Sequence, residues 1–166
     1  MTGGLTTQRL MLRPARPSDA DQAHAMATDF EVVRHTATWP WPADPAFTAA
    51  RCEGSDQQDD LQMVALKGDQ LVGMIGIKQD GDLGYMIARP FWGHGYASEI
   101  GRAVIAHVAA QGIWEQLKAC VFDDNPASAR VLEKLGFVEG PVCTGHCRAR
   151  GGDCPTRTFT RTLPRA

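Results

Sequence analysis

Nowhere in this 166-residue chain do apolar residues run long enough to cross a bilayer, which takes about 20 in succession. Nor does a charged segment followed by an apolar one, the mark of a secretory leader, open it, so a cytoplasmic location is expected. Net charge is small as well: 17 basic against 19 acidic residues leave −2, which gives neither nucleic acid nor a membrane surface an electrostatic reason to bind. Repeats and low-complexity tracts are missing. Five cysteines without a leader are expected as free thiols rather than disulfides. What remains, 43% apolar and 22% charged, suits one globular domain over residues 1–166, long enough for a sizeable core and short for two.

What the chain does have is Pro90-Phe91-Trp92-Gly93-His94-Gly95-Tyr96-Ala97-Ser98-Glu99, two glycines one residue apart opening into an amphipathic helix. Glycines allow a tight loop whose N–H groups converge, and the helix N-terminus adds unpaired donors and the positive end of its dipole. Such a loop suits a pyrophosphate. Ala97, Ile100, Gly101, Val104, Ile105 and Val108 recur at helical spacing until Gly112 stops the pattern, and Leu83, Tyr85 and Ile87 alternate with Gly84, Met86 and Ala88 as a strand feeding the loop. A dinucleotide fingerprint needs a third glycine where Ser98 stands and an acidic residue about 20 positions on, for which Glu115 is the nearest match. Its usual place, after the first strand of a βαβ series, is also not met here.

Elsewhere, Gln8 to Arg13 is expected as a strand, Ser18 to Thr28 as a helix capped by Ser18 or Asp19, and Pro45 to Glu53 as a short helix. Leu61–Leu66, Leu71–Ile77 and Asp82–Ala88 form an antiparallel meander. The pattern closes with strands near Val138–Cys147 and Thr156–Leu163.

A second motif, Asn125-Pro126-Ala127-Ser128-Ala129-Arg130-Val131-Leu132-Glu133-Lys134-Leu135-Gly136-Phe137, follows the strand-like Leu117 to Phe122. Together with the glycine loop, the Asp82–Ile87 strand before it and the Arg9-Leu10-Met11-Leu12-Arg13-Pro14 run, it resembles the GNAT superfamily of N-acetyltransferases, in the branch that acetylates ribosomal-protein N-termini. The resemblance implies an α+β fold with a mixed, mostly antiparallel sheet of about six or seven strands and about four helices. It implies acetyl-CoA as acetyl donor, no metal, and an amine acceptor, either a peptide N-terminus or a small amine. By position, Gly93, His94, Gly95, Tyr96, Ala97 and Ser98 hold the pyrophosphate, while Met86, Ile87 and Ala88, with Asn125, meet the pantetheine arm. Trp92 stands where the pattern often has Gln or Arg. Leu132 stands where many members carry a thiolate-protonating Tyr, and the branch resemblance gives that role to Ser128. A catalytically silent acetyl-CoA-binding module is the alternative.

The chemistry narrows the remaining candidates. An amine attacks a thioester only when neutral, and an α-amine, with a pKa of about 7.7–8.0, needs less help than a lysine near 10.4. Asp82 is the candidate base, with a plain turn carboxylate as its other reading. Ser128 lies in a first helical turn, where Ser also caps backbone donors, and Asn125 before Pro126 reads as an N-cap. The irregular segment Val33 to Pro45 concentrates His35, Trp39 and Trp41 and, with Tyr85, is assigned to the acceptor. Cys143, His146, Cys147 and Cys154 match no regular zinc spacing. Open edges of such a sheet leave a homodimer among the available assemblies.

Overall fold

A computed structural model describes residues 3–53 and 61–165. Its elements, in chain order, are β1 (Leu5–Thr6), β2 (Met11–Pro14), α1 (Ala20–Ala27), α2 (Phe30–Val33), α3 (Pro45–Cys52), β3 (Leu61–Lys67), β4 (Gln70–Ile77), β5 (Leu83–Ile87), α4 (Tyr96–Gln111), β6 (Gln116–Phe122), α5 (Pro126–Lys134), β7 (Val138–Cys147) and β8 (Gly152–Thr162). The fold is α+β, but the single sheet expected from sequence is divided in two. Strands β1 to β5 pair antiparallel in chain order, and β6, β8 and β7 form a second antiparallel sheet.

Among the described residues the two sheets share one ladder contact, a parallel bridge between Asp82 and Lys118, where the Lys118 N–H donates to the Gly81 carbonyl at 3.0 Å. Strands β5 and β6 start side by side there and part. Which peptide groups of β5 are left facing the gap follows from the ladder on its other edge. The Lys78 N–H donates to the Asp82 carbonyl and the Ala88 N–H to the Val72 carbonyl, so residues 82, 84, 86 and 88 turn their peptides towards β4. Antiparallel alternation then directs those of Tyr85 and Ile87 into the gap.

Apolar side chains fill both faces. Val72, Ile75, Ile77, Ile100, Val104, Leu117, Leu132 and Phe159 belong to one core cluster, under α4 and α5. Ala23, Val33, Cys52, Val64, Met74 and Phe122 belong to a second, under α1 to α3. The β3–β4 register slips between Ala65 and Leu66, opposite Gly73 and Leu71, which lets β4 supply both Leu71 and Met74 to the second cluster and Val72 and Ile75 to the first.

Three expected elements move, each for a visible reason. The first strand begins at Met11 rather than Gln8, because a turn from the Thr7 N–H to the Leu10 carbonyl (2.9 Å) takes up residues 7–10. The first helix begins at Ala20, since Asp19 is diverted from capping: its carboxylate accepts two bonds from Arg13 (2.7 and 2.8 Å) and one from the Arg16 N–H, leaving residues 17–19 as a 3₁₀ turn. The last strand begins at Gly152, since residues 152–155 pair with β7 as the closing end of a hairpin.

Candidate active site

Helix α4 opens at Gly95, whose φ of +77° is in the left-handed region that glycine adopts without strain. The loop before it is braced from outside. The Trp92 indole donates to the Ile87 carbonyl at 2.7 Å, His94 stacks on Tyr96 with centroids 5.6 Å apart, and the Arg9 guanidinium lies 4.4 Å above the Tyr96 ring. Glu99, in the first turn of α4, accepts from the Thr7 hydroxyl (2.6 Å) and from the Arg9 N–H and side chain (2.9 and 2.7 Å). Burial pushes the Glu99 pKa up, yet these donors win and hold it below the usual carboxylate value. The N-terminal segment thereby becomes part of the wall behind the loop, a role that no local signal in residues 7–9 announces.

Inside the loop lies a cavity of about 390 Å³, lined by Gly93, Gly95, Tyr96, Ala97 and Ser98 on one side and by Ala127, Arg130 and Lys134 of α5 on the other. His94 is not on its wall. Of the strand residues assigned to the cofactor, Ile87 turns its peptide into the gap with its carbonyl engaged by Trp92. Met86 is paired with Met74 in the ladder and lines the cavity. Ala88 donates to Val72 and lies outside the cavity.

A second cavity of about 200 Å³ opens beyond it between β5, β6 and the segment after α2. His35, Thr36, Tyr85, Met86, Asn125 and Ser128 line both cavities, so these six residues mark where the two meet. At this junction Tyr85 Oη and Ser128 Oγ share a hydrogen bond of 2.6 Å. Asn125 caps α5, its side chain accepting from the Ser128 N–H at 3.3 Å. The Ser128 hydroxyl is thus free of capping duty. Burial drives the Tyr85 pKa upward, against the opposing effect of the Ser128 hydrogen bond, and keeps the phenol protonated. The two residues are 43 positions apart, and sequence assigned Tyr85 to the acceptor without relating it to Ser128.

The other assigned residues separate. Trp39 is buried (5% exposed) and lines the second cavity, with its ring edge-on to Phe47. Trp41 is 42% exposed, packs on Phe30 and lies on neither cavity wall. Asp82 lines the second cavity and pairs with Lys78 at 3.1 Å. It stands three residues from Tyr85, about 10 Å along an extended strand. Cys120 also lines this cavity, and burial raises its thiol pKa, which keeps it protonated. Cys143, His146, Cys147 and Cys154 fall on the β7–β8 hairpin, and among the described residues no group of three or more His, Cys, Asp or Glu is placed to hold a metal ion. No described helix is long and apolar enough to span a membrane.

Residues 9–138 match a family described as an acetyltransferase (GNAT) domain. The chain is 27% identical to the uncharacterized N-acetyltransferase YoaA of Bacillus subtilis, over 97% of each protein, and 26% identical to the uncharacterized N-acetyltransferase p20 of Bacillus licheniformis, over 89% of each. Among solved structures it superposes on a RimL ribosomal L7/L12 α-N-protein acetyltransferase in complex with coenzyme A, with a TM-score of 0.85 at 17% identity, covering 97% of this chain and 98% of that one. It also superposes on the microcin C7 self-immunity acetyltransferase MccE in complex with acetyl-CoA and AMP, with a TM-score of 0.79 at 14% identity, covering 94% and 93%.

Proposed function

This chain belongs to the GNAT acetyltransferase family, and from that we propose that it moves the acetyl group of acetyl-CoA directly onto a primary amine, a peptide N-terminal α-amine in the first instance. The observation that carries this reading is the meeting of two cavities at the Tyr85–Ser128 hydrogen bond. Acetyl-CoA enters from the α4 side, its pyrophosphate against the N–H groups of residues 93–98 and its pantetheine arm along the open edge of β5. The acceptor enters from the side of Trp39 and Asp82, and the thioester sits between them.

In the transfer, the neutral amine adds to the thioester carbonyl, the C–S bond breaks, and the departing sulfur takes a proton. A thiol has a pKa of about 8.5, so a positioned neutral hydroxyl suffices as donor. Ser128, polarised by the Tyr85 phenol, fills that role. Tyr85 contributes from β5 the kind of group that Leu132 does not contribute from α5. An α-amine suits the site because it is already partly neutral at pH 7, and several structurally similar proteins are acetyltransferases of protein N-termini, including one that modifies the N-terminal serine of 50S ribosomal subunit protein L7/L12 from Salmonella typhimurium.

The test is calorimetric titration with acetyl-CoA beside NADH, followed by mass spectrometry of unmodified peptides incubated with acetyl-CoA. Heat with acetyl-CoA alone and acetylation at the peptide α-amine support the reading. Acetylation of polyamines or aminoglycosides in place of peptides transfers it to a small-amine enzyme. Binding without transfer to any amine identifies a silent module.

A further inference from the structure

We propose that His35 is the base that takes the proton from the attacking amine. This rests on the acetyltransferase reading above and deepens it. Amide formation releases one proton from nitrogen, and a group near the reacting carbon must receive it. Asp82, the carboxylate favoured from sequence, is held by Lys78 and lies about 10 Å along β5 from Tyr85. His35 lines both cavities alongside Tyr85 and Ser128. Its Nδ1 is buried and has no hydrogen-bond partner among the described residues. A nitrogen closed to solvent is closed to the amine as well, so the nitrogen left to meet a bound amine in the junction is Nε2, which no hydrogen bond engages among the described residues.

The backbone on both sides of His35 is fixed by the last residue of β7 and the turn that follows it. The Arg34 carbonyl accepts from Arg150 Nε at 2.9 Å, the Thr36 carbonyl from the Cys147 thiol at 3.3 Å, and the Ala37 carbonyl from the Arg148 N–H at 3.0 Å. Asp29 caps α2 through the Glu31 N–H and forms an ion pair with Arg89 just past β5, which ties the helix before His35 to the cofactor strand. Such bracing holds a proton acceptor within reach of one position.

The charges around the ring keep it neutral at working pH. Burial lowers the His35 pKa first, Arg34 and Arg150 lower it further, and Asp124 and Glu31 oppose them. Both carboxylates are themselves engaged: Asp124 by Arg150 (2.7 and 3.0 Å) and Arg34 (3.1 Å), and Glu31 by Arg34 (3.4 Å). The neutral imidazole retains a lone pair for the amine proton.

The proton balance closes. The amine nitrogen forms the C–N bond and loses a proton to His35, the C–S bond breaks, and the sulfur gains a proton from the Ser128–Tyr85 pair. Imidazolium returns its proton to solvent and the hydroxyl pair regains one.

The experiment compares the pH dependence of kcat/KM in wild type and His35→Gln with an α-amine peptide, with calorimetric acetyl-CoA binding recorded for both. Below the limb set near about 7.7–8.0 by the peptide α-amine itself, wild type should show a second acid limb that matches the His35 titration followed by NMR in the histidine-labelled wild-type protein. His35→Gln should bind acetyl-CoA within a few-fold of wild type, lose about 100-fold in kcat, and lack that limb. Equal turnover and an identical profile in His35→Gln would overturn the assignment. So would loss of the limb in Asp82→Asn instead, or an NMR pKa for His35 that departs from the wild-type limb, a comparison that stands even if the variant fails to fold. Absence of transfer by wild-type protein that binds acetyl-CoA would remove the acetyltransferase reading itself, and His35 with it.

Discussion

Gly73 tests whether the wall between the two cavities is rigid. It pairs with Ile87 across β4 and β5, and a methyl group added there would stand 2.4 Å from the Met86 carbonyl oxygen, 2.7 Å from Ile87 Cδ1 and 3.3 Å from Ile87 Cα. The tip of the isoleucine can swing away, but the carbonyl belongs to the ladder. Since a comfortable carbon-to-oxygen approach is about 3.3–3.6 Å, Gly73→Ala must part the strands by about 1 Å beside Met86. Overpacking of this size costs about 2 kcal/mol, or roughly 4–8 °C in Tm for a chain of this length. The same displacement moves Tyr85 relative to Ser128, and misplacement by 1 Å can cost about 100-fold in rate. Thermal unfolding, acetyl-CoA titration and steady-state kinetics should show all three effects together. Gly152→Ala, where nothing lies within 4 Å of the added methyl, serves as the stability control. A Gly73→Ala protein that melts and turns over like wild type would refute the argument that β5 cannot yield.

Three further outcomes are expected. Ser128→Ala and Tyr85→Phe should each lower kcat by about 100-fold with acetyl-CoA affinity nearly unchanged, and the double variant should be no slower than the worse single one; additive losses would mean that the hydroxyls act separately. Gly95→Asp adds about 1–3 kcal/mol of backbone strain at a positive φ and sends its carboxylate towards the Arg9 guanidinium, 3.7 Å from the added Cβ, which disturbs the N–H groups of the loop, so calorimetry should show weakened acetyl-CoA binding, and unchanged binding would remove the loop from the cofactor site. Asp19→Asn breaks a buried pair worth about 3–5 kcal/mol to disrupt. The hydrogen bond from Arg13 lowers the Asp19 pKa despite burial, so its contribution is fully present above the unfolded carboxylate value of about 3.9 and disappears as pH falls through the lower folded value. Urea unfolding should therefore show a wild-type advantage over Asp19→Asn that is constant from pH 7 to pH 5 and shrinks below pH 4.

What the chain announced in advance was local chemistry. Gly95 before an apolar stripe, Gly112 after it, and Asn125-Pro126 ahead of the second motif each specify a turn or cap within a few residues, and helices α4 and α5 begin and end where those signals stand. The part that escaped is long-range. No pattern within β5 or β6 reveals that the two strands meet once, at Asp82 and Lys118, and then separate. The Tyr85–Ser128 bond and the setting of His35 among residues 147–150 likewise depend on packing across the chain. Helix α2 is a four-residue turn capped by Asp29, too short for periodicity to declare.

The divergence of β5 from β6 also bears on aggregation. A strand edge with unpaired peptide groups ordinarily invites pairing by a neighbouring chain. The inner edge of β5 is such an edge, but β6 stands opposite it and is tied to it at one end, so a strand from another molecule would have to thread between two sheets of the same protein. The parting of these two strands keeps a hydrogen-bonding edge open to a slender, extended molecule while sheltering it from the sheets of other copies, an edge strand protected by position rather than by charge or proline.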